Sequence, residues 1–194
     1  MILNQLTFDV TMPEFLKTDI KEVVLVKAKV HDDERGFFAE RYKRTDFKES
    51  GVSDEYVQLN HSFSKKGVIR GLHFQRSPEE QGKLITAVSG AILDVAVDIR
   101  PSSSTFKRWV SVVLSRDNFT SLWVPQGFAH GFLALEDSNI IYLTTKEYSP
   151  QLDCGVRWDD PDIGVKWPIV SPTISSKDGK LKSLKELVES GEVK

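Results

Sequence analysis

Short runs of hydrophobic residues fill most of the chain, and polar turn residues separate one run from the next. The runs are rich in β-branched and aromatic residues, which is the composition that strands prefer. They predict strands at residues 23–30, 37–42, 56–62, 67–75, 83–88, 91–99, 109–114, 121–124, 128–135 and 140–148. Turns that recur at this short spacing predict a mainly β protein, built as an antiparallel sandwich or barrel.

The dipeptide Ser89-Gly90 separates the runs 83–88 and 91–99 and predicts a hairpin between them. Because successive side chains of a strand point to opposite faces, the second run has two different faces. One face carries Leu93, Val95, Val97 and Ile99, and the other carries Asp94, Ala96 and Asp98.

Helical patterns are few. Residues 45–50 predict a short helix that Gly51 ends. Near the C-terminal end, an apolar stripe at helical spacing predicts a second short helix, and it consists of Leu181, Leu184, Leu187 and Val188. We interpret residues 1–20 as an N-terminal arm and residues 21–194 as a single domain.

Composition and charge narrow the function classes. The chain has 194 residues with a net charge of -2 and a pI of about 6.1, a balance that argues against a nucleic-acid-binding protein. Cys154 is the single cysteine, so no intrachain disulfide is possible. No apolar run is long enough to span a bilayer, and the N-terminal residues lack the pattern of a signal peptide. We expect a cytoplasmic protein that does not bind membranes.

Residues 67–75 (GVIRGLHFQ) contain the first candidate chemistry, since His73 can exchange a proton near neutral pH and Arg70 can hold an anion. One histidine beside one arginine is common, however, and by itself favours a packed histidine and a surface arginine. Strict alternation also places the two side chains on opposite faces of a strand. A β-bulge at Gly71 would correct this.

The four histidines are His31, His61, His73 and His130. A β-barrel could gather some of them as a metal site. No His-x-His pair is present, however, so we favour a site that holds no metal. Lys83, Tyr142 and Asp178 each allow an ordinary role when taken singly, as a strand-end charge, a packed tyrosine and a loop residue.

Six sequence motifs that occur in a fixed order favour a functional role for these residues over an ordinary structural one. They are residues 33–40 (DERGFFAE), 58–62 (QLNHS), 70–75 (RGLHFQ), 81–83 (QGK), 128–132 (FAHGF) and 176–178 (SKD). With them the chain resembles the dTDP-4-dehydrorhamnose 3,5-epimerase family from about residue 20 to about residue 184. The arm before residue 20 looks longer than is usual in that family.

The resemblance implies a double-stranded β-helix jelly roll of the cupin type that acts as a homodimer without metal or cofactor. The implied substrate is a dTDP-linked 4-keto-6-deoxyhexose. Its C3 and C5 protons are acidic because both carbons neighbour the C4 ketone. Inversion of both centres through an enolate would give dTDP-4-dehydro-L-rhamnose, in the biosynthesis of dTDP-L-rhamnose.

The resemblance also implies roles for individual residues. His73 matches the base, Asp178 its carboxylate partner, Tyr142 the acid and Lys83 the cation beside the enolate oxygen. Substrate-binding positions are Arg35, Phe38, Glu40, Gln58, Asn60, Arg70, His130, Tyr148 and Lys177. Within that set, Arg35, Glu40, Gln58 and Asn60 match the nucleotide-diphosphate site, and Phe38 and Tyr148 match apolar or stacking contacts.

Three alternatives stay open. The enzyme could invert only one centre, at C3 or C5. It could instead be a ketoisomerase that moves the carbonyl of the same kind of substrate. A non-catalytic cupin that binds a sugar is the third, although it would not need an acid/base set.

Overall fold

Two β-sheets packed face to face form the body of the protein, as seen in a computed structural model that describes residues 12–52 and 55–193. The strands are β1 Glu14–Lys17, β2 Val24–Lys27, β3 Val30–Asp33, β4 Gly36–Ala39, β5 Gln58–Ser64, β6 Ile69–Gln75, β7 Lys83–Ser89, β8 Ala91–Asp98, β9 Trp109–Ser115, β10 Thr120–Val124, β11 Phe128–Ala134, β12 Ser138–Thr144 and β13 Asp153–Gly155. The helices are α1 Arg44–Glu49 and α2 Leu184–Glu189, and Asp178–Lys180 forms one 3-10 turn.

One sheet has six strands in the order β1-β2-β10-β7-β12-β5, and the other has five in the order β13-β6-β11-β8-β9. Strands β3 and β4 form a separate two-stranded hairpin. The pairings within both large sheets are antiparallel. The predicted mainly β jelly roll with a short C-terminal helix is therefore confirmed.

Alternate side chains from both sheets meet in a shared interior core. It includes the fully buried Ile85, Ile92, Leu122 and Ile140. Lys83 shares the inward face of Ile85 on β7, and Tyr142 shares the inward face of Ile140 on β12, because side chains two residues apart point to the same side. The core therefore fills one part of the interior and leaves a polar cavity beside it.

The predicted hairpin between residues 83–88 and 91–99 is wrong. Strand β7 pairs with β10 and β12, whereas β8 pairs with β9 and β11 in the opposite sheet. Gly90 has a φ of +69°, and an added Cβ there would lie 2.4 Å from the Asp137 carbonyl oxygen. The glycine turn is real, but it carries the chain from one sheet to the other, because both faces of β8 have an apolar layer to cover.

The C-terminal segment covers the outer face of the five-stranded sheet. Leu184 and Leu187 of α2 are buried in the same cluster as Val95 and Val97, so the predicted helix is confirmed. Ser183 caps the helix through a reciprocal capping box with the third helical residue. This docking fixes the path of the preceding residues, which include Asp178.

The predicted bulge at Gly71 is confirmed by the pairing of β6 with β11. His130 lies opposite His73 and Phe132 lies opposite Arg70, so three steps on β6 match two on β11. Gly71 has a φ of +133°, and an added Cβ would lie 2.6 Å from the Cα of Gly131. The two backbones approach this closely only because neither residue has a side chain.

Part of the predicted N-terminal arm lies outside the described residues, which begin at residue 12. Strand β1 pairs with β2, and Ile20 is buried in the interior core. The division into an arm and a domain stays a prediction. Within the described residues, no helix has the length and apolar character needed to cross a membrane.

We expect Gly71→Ala to lower the free energy of unfolding by about 3 kcal/mol, because strain at positive φ adds to a backbone clash. Gly36→Ala is a matched control, since its φ of +127° is similar but an added Cβ meets no atom within 4 Å. The control should lose only about 1–2 kcal/mol. Denaturant unfolding measures both, and equal losses would refute the close approach.

Candidate active site

A cavity of about 340 Å³ opens between the two sheets. Seven of the predicted site residues line it, namely Gln58, Asn60, His73, Lys83, Tyr142, Tyr148 and Lys177. Arg70 and Asp178 line an adjoining hollow that His73 and Lys177 share. The fold therefore gathers residues from four of the six sequence motifs around His73.

His73 and Asp178 form a hydrogen-bonded pair, with 2.8 Å between Nε2 and Oδ1. The Gly71 N–H donates to the second carboxylate oxygen at 3.4 Å. Burial alone would raise the pKa of Asp178, but the hydrogen bonds from His73, Gly71 and Ser175 lower it below its ordinary value. An ionised partner fixes the histidine tautomer and leaves its other ring nitrogen available to accept a proton.

Tyr142 and Lys83 approach the cavity from the six-stranded sheet, opposite His73. Burial raises the pKa of Tyr142 despite the opposing charge of Arg70, so the phenol keeps its proton at neutral pH. Burial lowers the pKa of Lys83 to about 8, against the charges of Asp153 and Asp94, which favour the ammonium form. The Lys83 ammonium donates to the His73 carbonyl oxygen at 3.4 Å.

His130 lies beside His73, opposite it on the neighbouring strand. Its Nε2 is 2.7 Å from Oδ1 of Asp94, and Asp94 is fully buried. The sequence analysis did not select Asp94 as a site residue. The signal was present, since a carboxylate within an apolar strand is costly to bury unless it has a partner.

Asp153 is a second site residue that the sequence analysis missed. It accepts hydrogen bonds from the Tyr148 hydroxyl, at 2.9 Å, and from the Lys177 ammonium. The Tyr148 bond raises the pKa of that phenol. No sequence pattern marks Asp153, because it follows an irregular segment and gains its partners only when β13 pairs with β6.

Arg70 is held at the rim by side-chain and backbone contacts. Its Nε donates to the Ser64 hydroxyl at 2.9 Å, and its Nη2 donates to the Phe63 carbonyl oxygen at 3.0 Å. The guanidinium is therefore oriented, and its charge reaches Tyr142. This position suits an anion that enters the cavity from solvent.

His130 does not line the cavity or the adjoining hollow, and neither do three further predicted substrate-binding residues, namely Arg35, Phe38 and Glu40. These three lie on or just after the β3–β4 hairpin, where Phe38 is 67% exposed and the Arg35 side chain is 83% exposed. Phe38 and Glu40 line a different hollow. The hairpin follows β2 in the chain, whereas β5 carries Gln58 and Asn60 on the cavity wall. In the six-stranded sheet, β2 and β5 are four strand spacings apart, which is roughly 19 Å.

No group of three or more His, Cys, Asp or Glu side chains is placed to hold a metal ion in the part of the chain that the structure describes. The residues around His73 instead offer proton donors and acceptors of different strengths. Metal independence stays a prediction.

These facing groups suit a reaction that removes a proton from one side of a bound ring and adds a proton to the other side. The fold and the site thus define an isomerase with a cupin-type jelly roll.

Comparison with known proteins leads from this class to a family. The sequence profile described as dTDP-4-dehydrorhamnose 3,5-epimerase matches residues 17–186. The chain belongs to the dTDP-4-dehydrorhamnose 3,5-epimerase family, as its motifs predicted.

Relatives and solved structures support this over most of the chain. The dTDP-4-dehydrorhamnose 3,5-epimerase of Escherichia coli K12 is 47% identical over 176 residues, which is 89% of this chain and 95% of the relative. An epimerase from Legionella pneumophila, solved with dTDP-4-keto-L-rhamnose, has a TM-score of 0.88 and 39% identity over 93% of this chain and 97% of its own. A 3'-monoepimerase from Streptomyces bikiniensis, solved with dTDP-quinovose, has a TM-score of 0.86 and 30% identity over 91% of each chain.

We expect kcat/KM to fall as the pH rises through about 8, because Lys83 then loses its proton and kcat/KM reports ionisations of the unliganded enzyme. Asp94→Asn removes a negative charge that favours the ammonium, so the fall should move to lower pH. Asp162→Asn is a control, since this exposed carboxylate pairs with Lys107. A pH–rate profile unchanged by Asp94→Asn would contradict the coupling.

Proposed function

We propose that the chain is a dTDP-4-dehydrorhamnose 3,5-epimerase that converts dTDP-4-dehydro-6-deoxy-D-glucose into dTDP-4-dehydro-L-rhamnose. One observation carries the chemistry. His73 belongs to the five-stranded sheet and Tyr142 to the six-stranded sheet, and both line the same cavity. A sugar ring between the sheets would have a base on one face and an acid on the other, as inversion of a carbon requires.

The proposed steps balance without a cofactor. His73 takes the proton from a carbon next to the C4 ketone, and the bond electrons move to O4 to form an enolate. Lys83 stabilises this oxygen more strongly as its charge grows, which lowers the barrier. Tyr142 donates a proton to the opposite face of the carbon, and Asp178 stabilises the imidazolium meanwhile. Exchange with solvent then removes the proton from His73 and returns one to Tyr142, and the same cycle at the second centre completes the double inversion.

We propose that a second copy of the chain supplies Arg35, Phe38 and Glu40 to the nucleotide end of the site. The hairpin that carries them projects from its own chain with every residue from 31 to 38 exposed. Arg35 is paired only with its neighbour Asp33 among the described residues, an exposed contact of small energetic value. A dTDP diphosphate would be a stronger partner for this guanidinium.

The outer face of β5 supports a homodimer as well. Leu59 is 62% exposed and Phe63 is 51% exposed, and both point to the same side of this edge strand. Exposed apolar residues on an edge strand favour association with another chain. A cytoplasmic location stays a prediction.

The single-centre epimerase is the main alternative, since one similar structure is a 3'-monoepimerase. That protein is 30% identical, whereas relatives at 44–48% identity are named 3,5-epimerases. The ketoisomerase and the non-catalytic binding protein are less favoured. Incubation with dTDP-4-keto-6-deoxyglucose, with product stereochemistry determined by NMR, distinguishes all four.

The roles of base and acid are separable in deuterated water. We expect Tyr142→Phe to exchange deuterium into the substrate but give little inverted product, because the base still forms the enolate. His73→Asn should show neither exchange nor inversion. Mass spectrometry and NMR of the recovered sugar measure both. If Tyr142→Phe blocks exchange as fully as His73→Asn does, the assigned roles are wrong.

A shared site predicts complementation between two inactive variants. We would co-express His73→Asn chains with Arg35→Ala/Phe38→Ala chains. In mixed dimers, one of the two sites then combines an intact cavity with an intact hairpin. Random pairing should restore about a quarter of the wild-type activity.

The two variants expressed separately are the controls, and light scattering should give about twice the 21.9 kDa chain mass. A mixture that stays inactive while forming dimers would mean that each hairpin serves its own chain. A monomer at micromolar concentration would refute the shared site altogether.

A further inference from the structure

Residues 145–152, which we call the crossing segment, connect β12 in one sheet to β13 in the other. The segment carries Tyr148 on the cavity wall and leads directly into Asp153. It has no strand or helix of its own. The position of this wall therefore depends on contacts from neighbouring elements.

Three glutamine side chains supply such contacts to its backbone. The Gln58 Oε1 accepts from the Tyr148 N–H at 2.9 Å. The Gln75 Oε1 accepts from the Ser149 N–H at 2.8 Å, and its Nε2 donates to the Glu147 carbonyl oxygen at 3.0 Å. The Gln81 Nε2 donates to the Lys146 carbonyl oxygen at 2.9 Å.

The three glutamines come from different parts of the fold. Gln58 is on β5 of the six-stranded sheet, Gln75 is on β6 of the five-stranded sheet, and Gln81 precedes β7. All three also line the cavity that holds His73. The crossing segment is thus tied to both sheets at the mouth of the site.

Gln75 is the central member, because it is only 5% exposed. Its second N–H donates to the Glu79 carbonyl oxygen, so its acceptor and both its donors are in use. A carboxylate at this position would lack the donors, and an apolar side chain would lack every partner. Breaking such buried bonds leaves unsatisfied backbone groups, which is costly.

Gln58 has a comparable arrangement. Its Nε2 donates to the Asn60 Oδ1 at 2.8 Å while its Oε1 holds the Tyr148 amide. Both ends of this side-chain amide are therefore engaged within the protein. Gln58 would therefore have two roles, namely the substrate contact that the family resemblance implies and the contact that holds the Tyr148 backbone.

We propose that Gln58, Gln75 and Gln81 are positioning residues that form a clamp on the crossing segment and so hold Tyr148 and Asp153 at the substrate. Asp153 in turn orients Lys177. The proposal rests on the function proposed above, since it names what sets the affinity of that site for its nucleotide sugar. Amides do not titrate, so the clamp is the same at every pH at which the enzyme works.

The central test is Gln75→Met, which keeps the side-chain length and removes all three hydrogen bonds. We expect KM for dTDP-4-keto-6-deoxyglucose and Kd for dTDP to rise about tenfold, the equivalent of about one buried hydrogen bond. The change in kcat should be smaller, because His73, Tyr142 and Lys83 keep their own supports. Gln126→Met is the matched control, since this exposed glutamine contacts the first residue of the crossing segment only through the Thr145 side chain and makes no bond to the backbone of the segment.

Amide hydrogen exchange gives a readout that does not depend on turnover. In Gln75→Met the Ser149 amide should exchange faster, while the amide of buried Val95 in β8 stays protected. Gln75→Glu should recover part of the dTDP affinity at pH 5.5 relative to pH 8, because a protonated carboxyl regains one donor. Gln75→Met should show no such recovery.

The possible outcomes are distinct. A lower unfolding temperature with unchanged KM, dTDP affinity and Ser149 exchange would overturn the clamp and leave Gln75 a structural residue. If Gln75→Met does not fold, Gln81→Met removes one clamp bond from a less buried position and should still raise KM. If the wild type and Gln126→Met both fail to convert the sugar, the proposed function is wrong, and Ser149 exchange still decides the clamp.

Discussion

The close approach of Gly71 to Gly131 is the constraint on which the site depends. An added Cβ at Gly71 would lie 2.6 Å from the Gly131 Cα, so neither position has room for a side chain. The bulge that results sets the three-residue step from Arg70 to His73. It also directs the Gly71 N–H towards the carboxylate of Asp178. One backbone contact therefore orients Arg70, His73 and Asp178 together.

The two sheets divide the chemistry between them. His73 and Asp178 belong to the five-stranded side, and Tyr142 and Lys83 belong to the six-stranded side. The interior core packs beside the cavity and keeps water away from one end of it. Charges in such a place are costly unless they are paired. The structure places Asp94 and Asp153 near Lys83, and Asp153 also accepts from Lys177.

Several residues of the site position other side chains through hydrogen bonds. Asp178 fixes His73, Asp94 fixes His130, and Asp153 holds Tyr148 together with Lys177. The glutamine contacts extend this support to the backbone of the crossing segment. Among the described residues, the exposed β3–β4 hairpin packs on its own chain through a ring contact between Phe37 and Phe119.

The sequence by itself determined most of the strand runs, although not β1 or β13, together with both short helices, the glycine bulge and most of the cavity residues. It did so because strand periodicity and glycine conformation are local properties, and because six ordered motifs resemble one family. Only the tertiary structure decided that β7 and β8 lie in different sheets, since a tight glycine turn is the same signal for a hairpin and for a crossing. Asp94, Asp153 and Gln75 likewise acquire their partners from distant strands. No local pattern encodes those contacts, because packing of the sheets creates them.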